Sequence, residues 1–300
     1  MTTFIMMIGL VASGKSYETE ILSKEYNANI HSSDAIREEL SGDINNQDIN
    51  DLVFKTLHNR VKEDLKNGKN CIYDATNINY KRRMAFLREL NSIPCEKICV
   101  LMATPYEVCL ERNAKRDRKV PENVIKRMYM NFDIPYWYEG WDDIRIKYSS
   151  NSESLLGIPV KWIENVKNYN QENSHHTLTL GEHCWQAAEY LDRYSSTALQ
   201  YATILHDCGK PFCKTFTNTK GEVTDQAHYY FHEHIGSYNS LFYDINNYNL
   251  NIAILIRWHM QPYFWEKDNN EKQRNKYYKL WGEELYSDVM KLHEADKNAH

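Results

Sequence analysis

Short apolar runs alternate with longer periodic stretches through the first half of the chain. Phe4–Gly9, Asn29–Ser32, Cys71–Tyr73, Glu96–Met102 and Ile144–Lys147 read as strands. Lys15–Glu25, a segment from Asp34, Asp51–Asn67, Tyr80–Leu90, Tyr106–Lys115 and Pro121–Asn131 read as helices. In Asp51–Asn67, Leu52, Val53, Leu57, Val61 and Leu65 share one face, and Gly68 stops the helix. Strands alternating with helices predict an α/β domain with a mainly parallel sheet. Ser149–Ser154 and Asn168–His175 are polar breaks. Beyond them the pattern is helical almost throughout: Gly181–Arg193, Ala198–Cys208, His232–Phe242, Ile252–Trp258 and Leu280–Asn298, with Pro211 and Pro262 ending two of these. The expected organisation is an α/β domain over 1–150, a linker over 151–175 and an all-α domain over 176–300.

The chain has 300 residues, 42% apolar and 26% charged, enough for packed cores and too apolar for global disorder. No run approaches the roughly 18 apolar residues of a membrane span. Phe4–Ala12 lacks a basic flank and leads into a glycine loop, so it reads as a strand and not a signal peptide. Seven cysteines without a CxxC pair read as free thiols of a cytoplasmic protein. The net charge of −5 argues against a generic polyanion binder but leaves room for a local basic groove. Residues 151–300 hold 14 basic and 19 acidic residues and ten of the 12 histidines. That bias is what a metal-centred domain produces.

Gly9-Leu-Val-Ala-Ser13-Gly14-Lys15-Ser16 fits G-x-x-x-x-G-K-[ST] after a strand and before a helix. Its N–H groups and the helix N-terminus suit a phosphate; Lys15 would reach the β/γ-phosphates of ATP or another NTP, and Ser16 would ligate Mg²⁺. Asp34 follows the second strand, where it could accept a hydroxyl proton, and Arg37 lies one turn on, where it could hold a phosphate. Taken alone, the two read as a helix cap and a surface arginine. Asp74 and Asn77 close the third strand, ahead of a helix carrying Lys81, Arg82 and Arg83. Arg112, Arg116 and Arg118 form a basic segment suited to a lid over a transferring phosphate. These elements, with Val120-Pro121, resemble the phage-type 5′-hydroxyl polynucleotide kinases and their P-loop relatives. The resemblance implies a general base at Asp34, acceptor contacts at Arg37, Asp74, Asn77 and Arg83, and a lid arginine at Arg116. Relatives with the same Asp-Ala-Thr-Asn element act on tRNA-linked serine or small metabolites.

In the second half His183, His206-Asp207, His228, His232, His259 and Asp296 sit on or beside predicted helices. Each histidine alone reads as a core or surface residue; as a set they offer imidazole and carboxylate donors for Mn, Ni, Co, Fe or Mg. Asp207 could bridge two metals, and Lys210 could bind a phosphate oxygen. His175, His176, His234, His293 and His300 are given no role. Ile204–Pro211, His228–Glu233 and Arg257–Met260 resemble the HD-domain phosphohydrolases, including those attached to tRNA CCA-adding enzymes. The resemblance implies His183, His206, Asp207 and Asp296 around one metal, His232 and His259 completing a second site, and His228 as a phosphate contact. Phe231 stands where that family has glycine.

A kinase followed by a metal phosphohydrolase implies a bifunctional end-healing enzyme for RNA or DNA. It would phosphorylate 5′-hydroxyls, remove 2′,3′-cyclic, 2′- or 3′-phosphates, and supply a polynucleotide ligase, with no membrane partner. The order of the two domains is reversed relative to the bacterial HD-domain polynucleotide kinases that the combination resembles. One alternative is a small-molecule or tRNA-directed kinase with an HD nucleotide phosphohydrolase; another is a non-catalytic ATP/RNA sensor.

Overall fold

The computed structural model describes residues 1–149, 156–174, 177–245 and 247–299. Part of the expected linker (151–155 and 175) and His175, His176 and His300 lie outside them. The chain divides into two compact units, Met1–Met128 with Pro135–Ser152, and Tyr129–Ile134 with Glu153–His300. No helix among the described residues is long and apolar enough to cross a membrane.

The first unit runs β1 (Thr2–Ile8), α1 (Lys15–Tyr26), β2 (Ala28–Ser32), α2 (Ser33–Ser41), α3 (Asn50–Lys66), β3 (Asn70–Asp74), α4 (Tyr80–Glu89), β4 (Cys95–Ala103) and α5 (Tyr106–Ala114). Then follow α6 (Glu122–Met130), a 3₁₀ turn (Trp137–Glu139) and β5 (Asp143–Tyr148). The sheet is wholly parallel, in the order β2-β3-β1-β4-β5. Its middle strand explains the unbroken apolar run: Phe4 to Ile8 are at most 1% exposed, because helices cover both faces of a central parallel strand. In α3, Val53, Leu57, Val61 and Leu65 are buried at four-residue spacing, whereas Leu52 is half exposed and off that face. Parallel strands all end on one edge, so the loop after β1, the start of α2 and the end of β3 face a common ligand position.

The second unit holds α7 (Pro159–Val166), α8 (Leu180–Tyr190), α9 (Thr197–Leu205), α10 (Lys210–Cys213), β6 (Thr215–Thr217), β7 (Val223–His228) and α11 (His232–Asn239). A second 3₁₀ turn (Ser240–Phe242), α12 (Asn249–Trp258), α13 (Gln261–Lys267) and α14 (Glu271–Asn298) complete it. It departs from the expected all-α domain by the antiparallel hairpin β6–β7. Part of the stretch expected as linker is helix α7, with Trp162, Ile163 and Val166 buried. Pro211 and Pro262 start α10 and α13, where a missing N–H is harmless, and so mark beginnings as well as ends. The last helix begins at Glu271, well before Leu280, and breaks at Gly282, whose φ of 79° no helix tolerates.

Candidate functional sites

The loop after β1 curls tightly for identifiable reasons. A Cβ on Gly9 would lie 2.6 Å from Ser13 Oγ and 3.0 Å from Met102 Cβ, and Gly14 has a φ of 99°. Ala12 also takes a left-handed φ of 61°. Gly9 N–H donates to Thr76 O (3.0 Å), and Thr104 Oγ1 donates to Ser13 O (2.8 Å), fixing the loop to its neighbours. Ser13 itself is fully buried beneath the loop. Lys15 Nζ donates to Gly9 O (3.0 Å) and Leu10 O (2.7 Å). Burial lowers its pKa, partly offset by Asp74 and Asp34 nearby. Ser16 follows on the first turn of α1.

Asp34 is not a helix cap: Ser32 occupies that place, and Asp34 lies inside the first turn of α2. Its two carboxylate oxygens are held by different arginines, Arg37 NH1 on Oδ1 (2.8 Å) and Arg118 NH1 on Oδ2 (2.7 Å). Arg37 is buried and also donates to Asn50 Oδ1 (2.8 Å). Arg118 also binds Asn45 Oδ1 (2.9 Å) and Ile44 O (3.2 Å). Asp74 is no cap either, since Asn79 caps α4. Burial raises the pKa of Asp74, and Lys15 opposes it.

Two expectations are corrected here. Arg83 does not face a substrate. It is buried, its Nε and NH2 grip Glu139 (2.7 and 2.5 Å), and its NH1 donates to Asn77 O (2.9 Å). One turn of α4 leaves Lys81 and Arg82 in solvent and points Arg83 inward. Asn77 uses its amide to tie the loop to Met7 O (2.8 Å) and adopts a left-handed φ of 47°. In the basic segment, Arg116 is exposed but close enough to lower the Lys15 pKa, and an Arg112 guanidinium nitrogen would lie 3.8 Å from a Cβ on Gly14. The arginine that reaches Asp34 is Arg118, which spacing alone did not single out.

The second unit gathers its histidines as the sequence predicts. His183 Nε2 lies 3.1 Å from His206 Nε2, and both face Asp296 Oδ1 (3.1 and 3.4 Å) and Asp207 Oδ2 (3.4 and 3.3 Å). His232 Nε2 faces His259 Nε2 (3.2 Å) and the other Asp207 oxygen, Oδ1 (3.3 Å). Asp207 thus joins two donor groups, His183/His206/Asp296 and His232/His259. The Nδ1–H groups donate to main-chain carbonyls: His206 to Thr203 (2.7 Å), His232 to Tyr229 (2.8 Å), His259 to Ile256 (2.7 Å) and His183 to Ala299 (2.8 Å). That leaves four Nε2 atoms facing one another and the Asp207 and Asp296 carboxylates, an arrangement that calls for protons or metal cations between them.

Close approach of the backbone builds this geometry. Gly209, two residues after Asp207, packs on α11 so tightly that a Cβ would lie 2.1 Å from His232 O. Phe231 takes a left-handed φ of 66° to start α11, a conformation that glycine would adopt without strain. Lys210 Nζ donates to Asp207 Oδ2 (2.6 Å) and to Gln171 Oε1 (2.8 Å), and Tyr263 OH donates to Asp296 Oδ2 (3.2 Å). Cys184 adds a buried thiol beside His206 and Asp207. Gln171, Tyr263 and Cys184 carry no motif that would have disclosed them. His228 stays outside the cluster, stacked on Tyr230 and bonded to Thr224 Oγ1 (3.0 Å).

The electrostatics agree with a cation site. Burial opposes charge on His183, but Asp207 and Asp296 outweigh it and hold its pKa up at about 10. Asp207 and Asp296 are held well below the usual carboxylate range against their burial, by Lys210 and His206 in the first case and by His206 and His183 in the second. His259, wholly buried and facing two other imidazoles, is pushed down to about 3. Two buried carboxylates demand positive charge, and protons or metals can supply it.

Residues 4–135 match the family model described as an AAA domain. Over 143 residues the chain is 29% identical to L-seryl-tRNA(Sec) kinase of Methanococcus maripaludis, covering 46% of this chain and 55% of that protein. The first unit carries a P-loop at the end of β1 of a parallel α/β sheet, and the proteins it is similar to are kinases. The chain spans about half the length of this curated relative. Among solved structures it is similar to a putative kinase from Chloroflexus aurantiacus (TM-score 0.43, 15% identity, 50% of this chain and 89% of that one). A sugar kinase from Janibacter sp. is also similar (TM-score 0.39, 15% identity, 49% of this chain and 86% of that one).

Proposed function

We propose that the chain couples a hydroxyl-directed kinase to a dinuclear metal phosphohydrolase. In the first unit, the loop Gly9–Ser16 holds the triphosphate, Lys15 contacts its β/γ-phosphates and Ser16 holds Mg²⁺. Asp34 takes the acceptor proton, Arg37 and Asp74 organise the acceptor, and Arg112 and Arg116 stabilise the transferring phosphoryl. In the second unit, His183, His206, Asp207 and Asp296 hold one divalent metal, and Asp207, His232 and His259 a second. Such a pair supplies a hydroxide nucleophile and neutralises phosphate oxygens. Asp207 fixes the spacing, the backbone carbonyls fix the imidazoles, and Lys210 steadies Asp207 and meets the incoming phosphate.

The observation that carries the hydrolase half is the split Asp207 carboxylate, one oxygen on each donor group. For the kinase, likeness to the relative named as acting on seryl-tRNA favours a tRNA-borne or small-molecule acceptor, and we place that first. The second reading, healing of 5′-hydroxyl and 2′,3′-cyclic phosphate ends, is favoured by the buried His/Asp cluster itself, which a kinase of tRNA-linked serine does not need.

The test offers ATP, Mg²⁺ and Mn²⁺ with three acceptors: seryl-tRNA, nucleosides, and RNA bearing a 5′-hydroxyl and a 2′,3′-cyclic phosphate. Mass spectrometry reads each product. Phosphoseryl-tRNA or nucleotide supports the first reading, and RNA changed at both ends supports the second. Asp34→Ala should abolish only transfer and Asp207→Ala only hydrolysis. Loss of both through either substitution would refute separate centres.

A further inference from the structure

Six residues from the first half of the sequence fold with the second unit. Tyr129–Ile134 belongs to it, while the chain up to Met128 and from Pro135 to Ser152 belongs to the first. Tyr129, Phe132, Asp133 and Ile134 are at most 4% exposed. Apolar contact explains the two rings. Tyr129 meets Phe212 edge-on at 5.1 Å and Tyr238 at 5.5 Å, and Phe132 meets Tyr238 at 4.7 Å. Asp133 is different. A carboxylate is costly to bury, and a buried ion pair adds little stability over apolar groups of the same volume. Asp133 Oδ1 is nonetheless gripped by Arg257, through Nε (2.9 Å) and NH2 (2.8 Å), with both side chains largely buried. The same oxygen lies 3.6 Å from His234 Nδ1, which donates to Phe132 O (3.1 Å).

The two partners sit at telling places. Arg257 is two residues before His259, on the last turn of α12. His234 is two residues after His232, on the first turn of α11. Phe132 and Asp133 therefore hold both helices at the ends that carry these histidines, with bonds that span 102 and 124 residues of sequence. His232 Nε2 and His259 Nε2 face each other at 3.2 Å, so their separation depends on where α11 starts relative to where α12 ends. The other donors, His183, His206 and Asp296, come from different elements: α8, the end of α9, and α14. Fastening the segment alone would need no charge, since its rings already do so.

We propose that Asp133 is a positioning residue for the second half of the His/Asp cluster. By gripping Arg257, beside the Phe132 carbonyl on His234, it sets α12 against α11 so that His259 and His232 can share a metal with Asp207. The assignment rests on the metal-phosphohydrolase reading and deepens it. Groups outside a metal's own ligands act on affinity by fixing ligand orientation, and a brace across two ligand-bearing helices acts in that way.

The test uses the full chain with Mn²⁺ as the probe. Calorimetry gives a Kd for each equivalent. Electron paramagnetic resonance reports pairing, because two Mn²⁺ ions sharing a carboxylate couple and lose the resolved hyperfine lines of a lone ion. Asp133→Asn keeps the side-chain shape and removes the charge that holds Arg257. The first equivalent should bind as in the wild type and the second about 10-fold more weakly, the low end of the range for groups outside the ligands. At a Mn²⁺ concentration that just fills the wild type, the variant should show resolved hyperfine lines, and about tenfold more Mn²⁺ should restore the coupled spectrum. Arg257→Lys keeps a cation without the two-nitrogen grip; it should show the same change, and it carries the test if Asp133→Asn fails to fold. Tyr129→Phe removes the hydroxyl that the same segment donates to Asn239 Oδ1. It should lower the melting temperature and leave both affinities unmoved. The same selective loss in Tyr129→Phe would overturn the assignment, since ordinary packing would then account for it. A wild type with two coupled ions and charge variants of equal affinity would bring down the brace alone. A wild type that takes up no Mn²⁺ would bring down the hydrolase reading and the brace with it.

Discussion

Replacing Gly209 with alanine should separate the two halves of the proposed metal centre. The added methyl would lie 2.1 Å from His232 O, 2.7 Å from Gly236 N and 3.0 Å from His232 C, all main-chain atoms that cannot rotate away. Restoring an ordinary 3.4 Å contact with the carbonyl moves the start of α11 by about 1.3 Å. Metal–ligand distances tolerate about 0.2 Å, so His232 cannot follow and still ligate. His183, His206 and Asp296 come from α8, the end of α9 and α14, which the methyl does not touch. Overpacking of this kind costs about 1–3 kcal/mol, or roughly 2–12 °C of melting temperature for a unit of this size. Metal content after dialysis against Mn²⁺, read by mass spectrometry, should fall from two equivalents to one. Hydrolysis should fall with it, while phosphoryl transfer persists. Two tightly held equivalents and an unchanged melt in the variant would refute the reasoning.

Three further outcomes follow from the same structure. Arg83→Met strands the Glu139 carboxylate in the core, which should cost about 3–5 kcal/mol in the first unit by calorimetry; Arg83→Met with Glu139→Gln should recover much of it. Arg118→Ala removes one of the two arginines on Asp34, so kcat for transfer should change while KM for ATP stays constant in steady-state assays. Burial lowers the His58 pKa, offset in part by Glu89, so folding favours the neutral ring. The unfolded chain then takes up a proton as pH falls below about 6.5, and the first unit should lose stability on the acid side; melts between pH 7.5 and 5.5 should show a shallower slope in His58→Gln.

The glycine loop and the six clustered His and Asp side chains were legible because each rests on identity plus spacing, and the fold brings them together. Arg83 was misread because composition cannot tell the inward face of a short basic helix from its outward faces. Arg118 was not singled out from Arg112 and Arg116 because it lies in the irregular stretch after α5, where no periodicity says which arginine turns toward Asp34. The hairpin β6–β7 was missed because Thr215–Thr217 and Val223–His228 leave mostly exposed positions and bury little beyond Ala227, so no alternation marks them. Gln171 reaches Lys210 across 39 residues, a relation only the packed chain contains.

The imidazoles of the His/Asp cluster are aimed by main-chain oxygens, three of them belonging to the residue three places earlier. Every amino acid carries that oxygen. Thr203, Tyr229 and Ile256 could therefore change side chain without losing the bond that aims each ring, so long as the main chain keeps its path. In this respect the centre is buffered against drift: its ligands are fixed by identity and their orientation by conformation alone. Relatives of this unit should then keep the histidines while the positions that hold them in place vary only within what the burial of Thr203 and Ile256 allows.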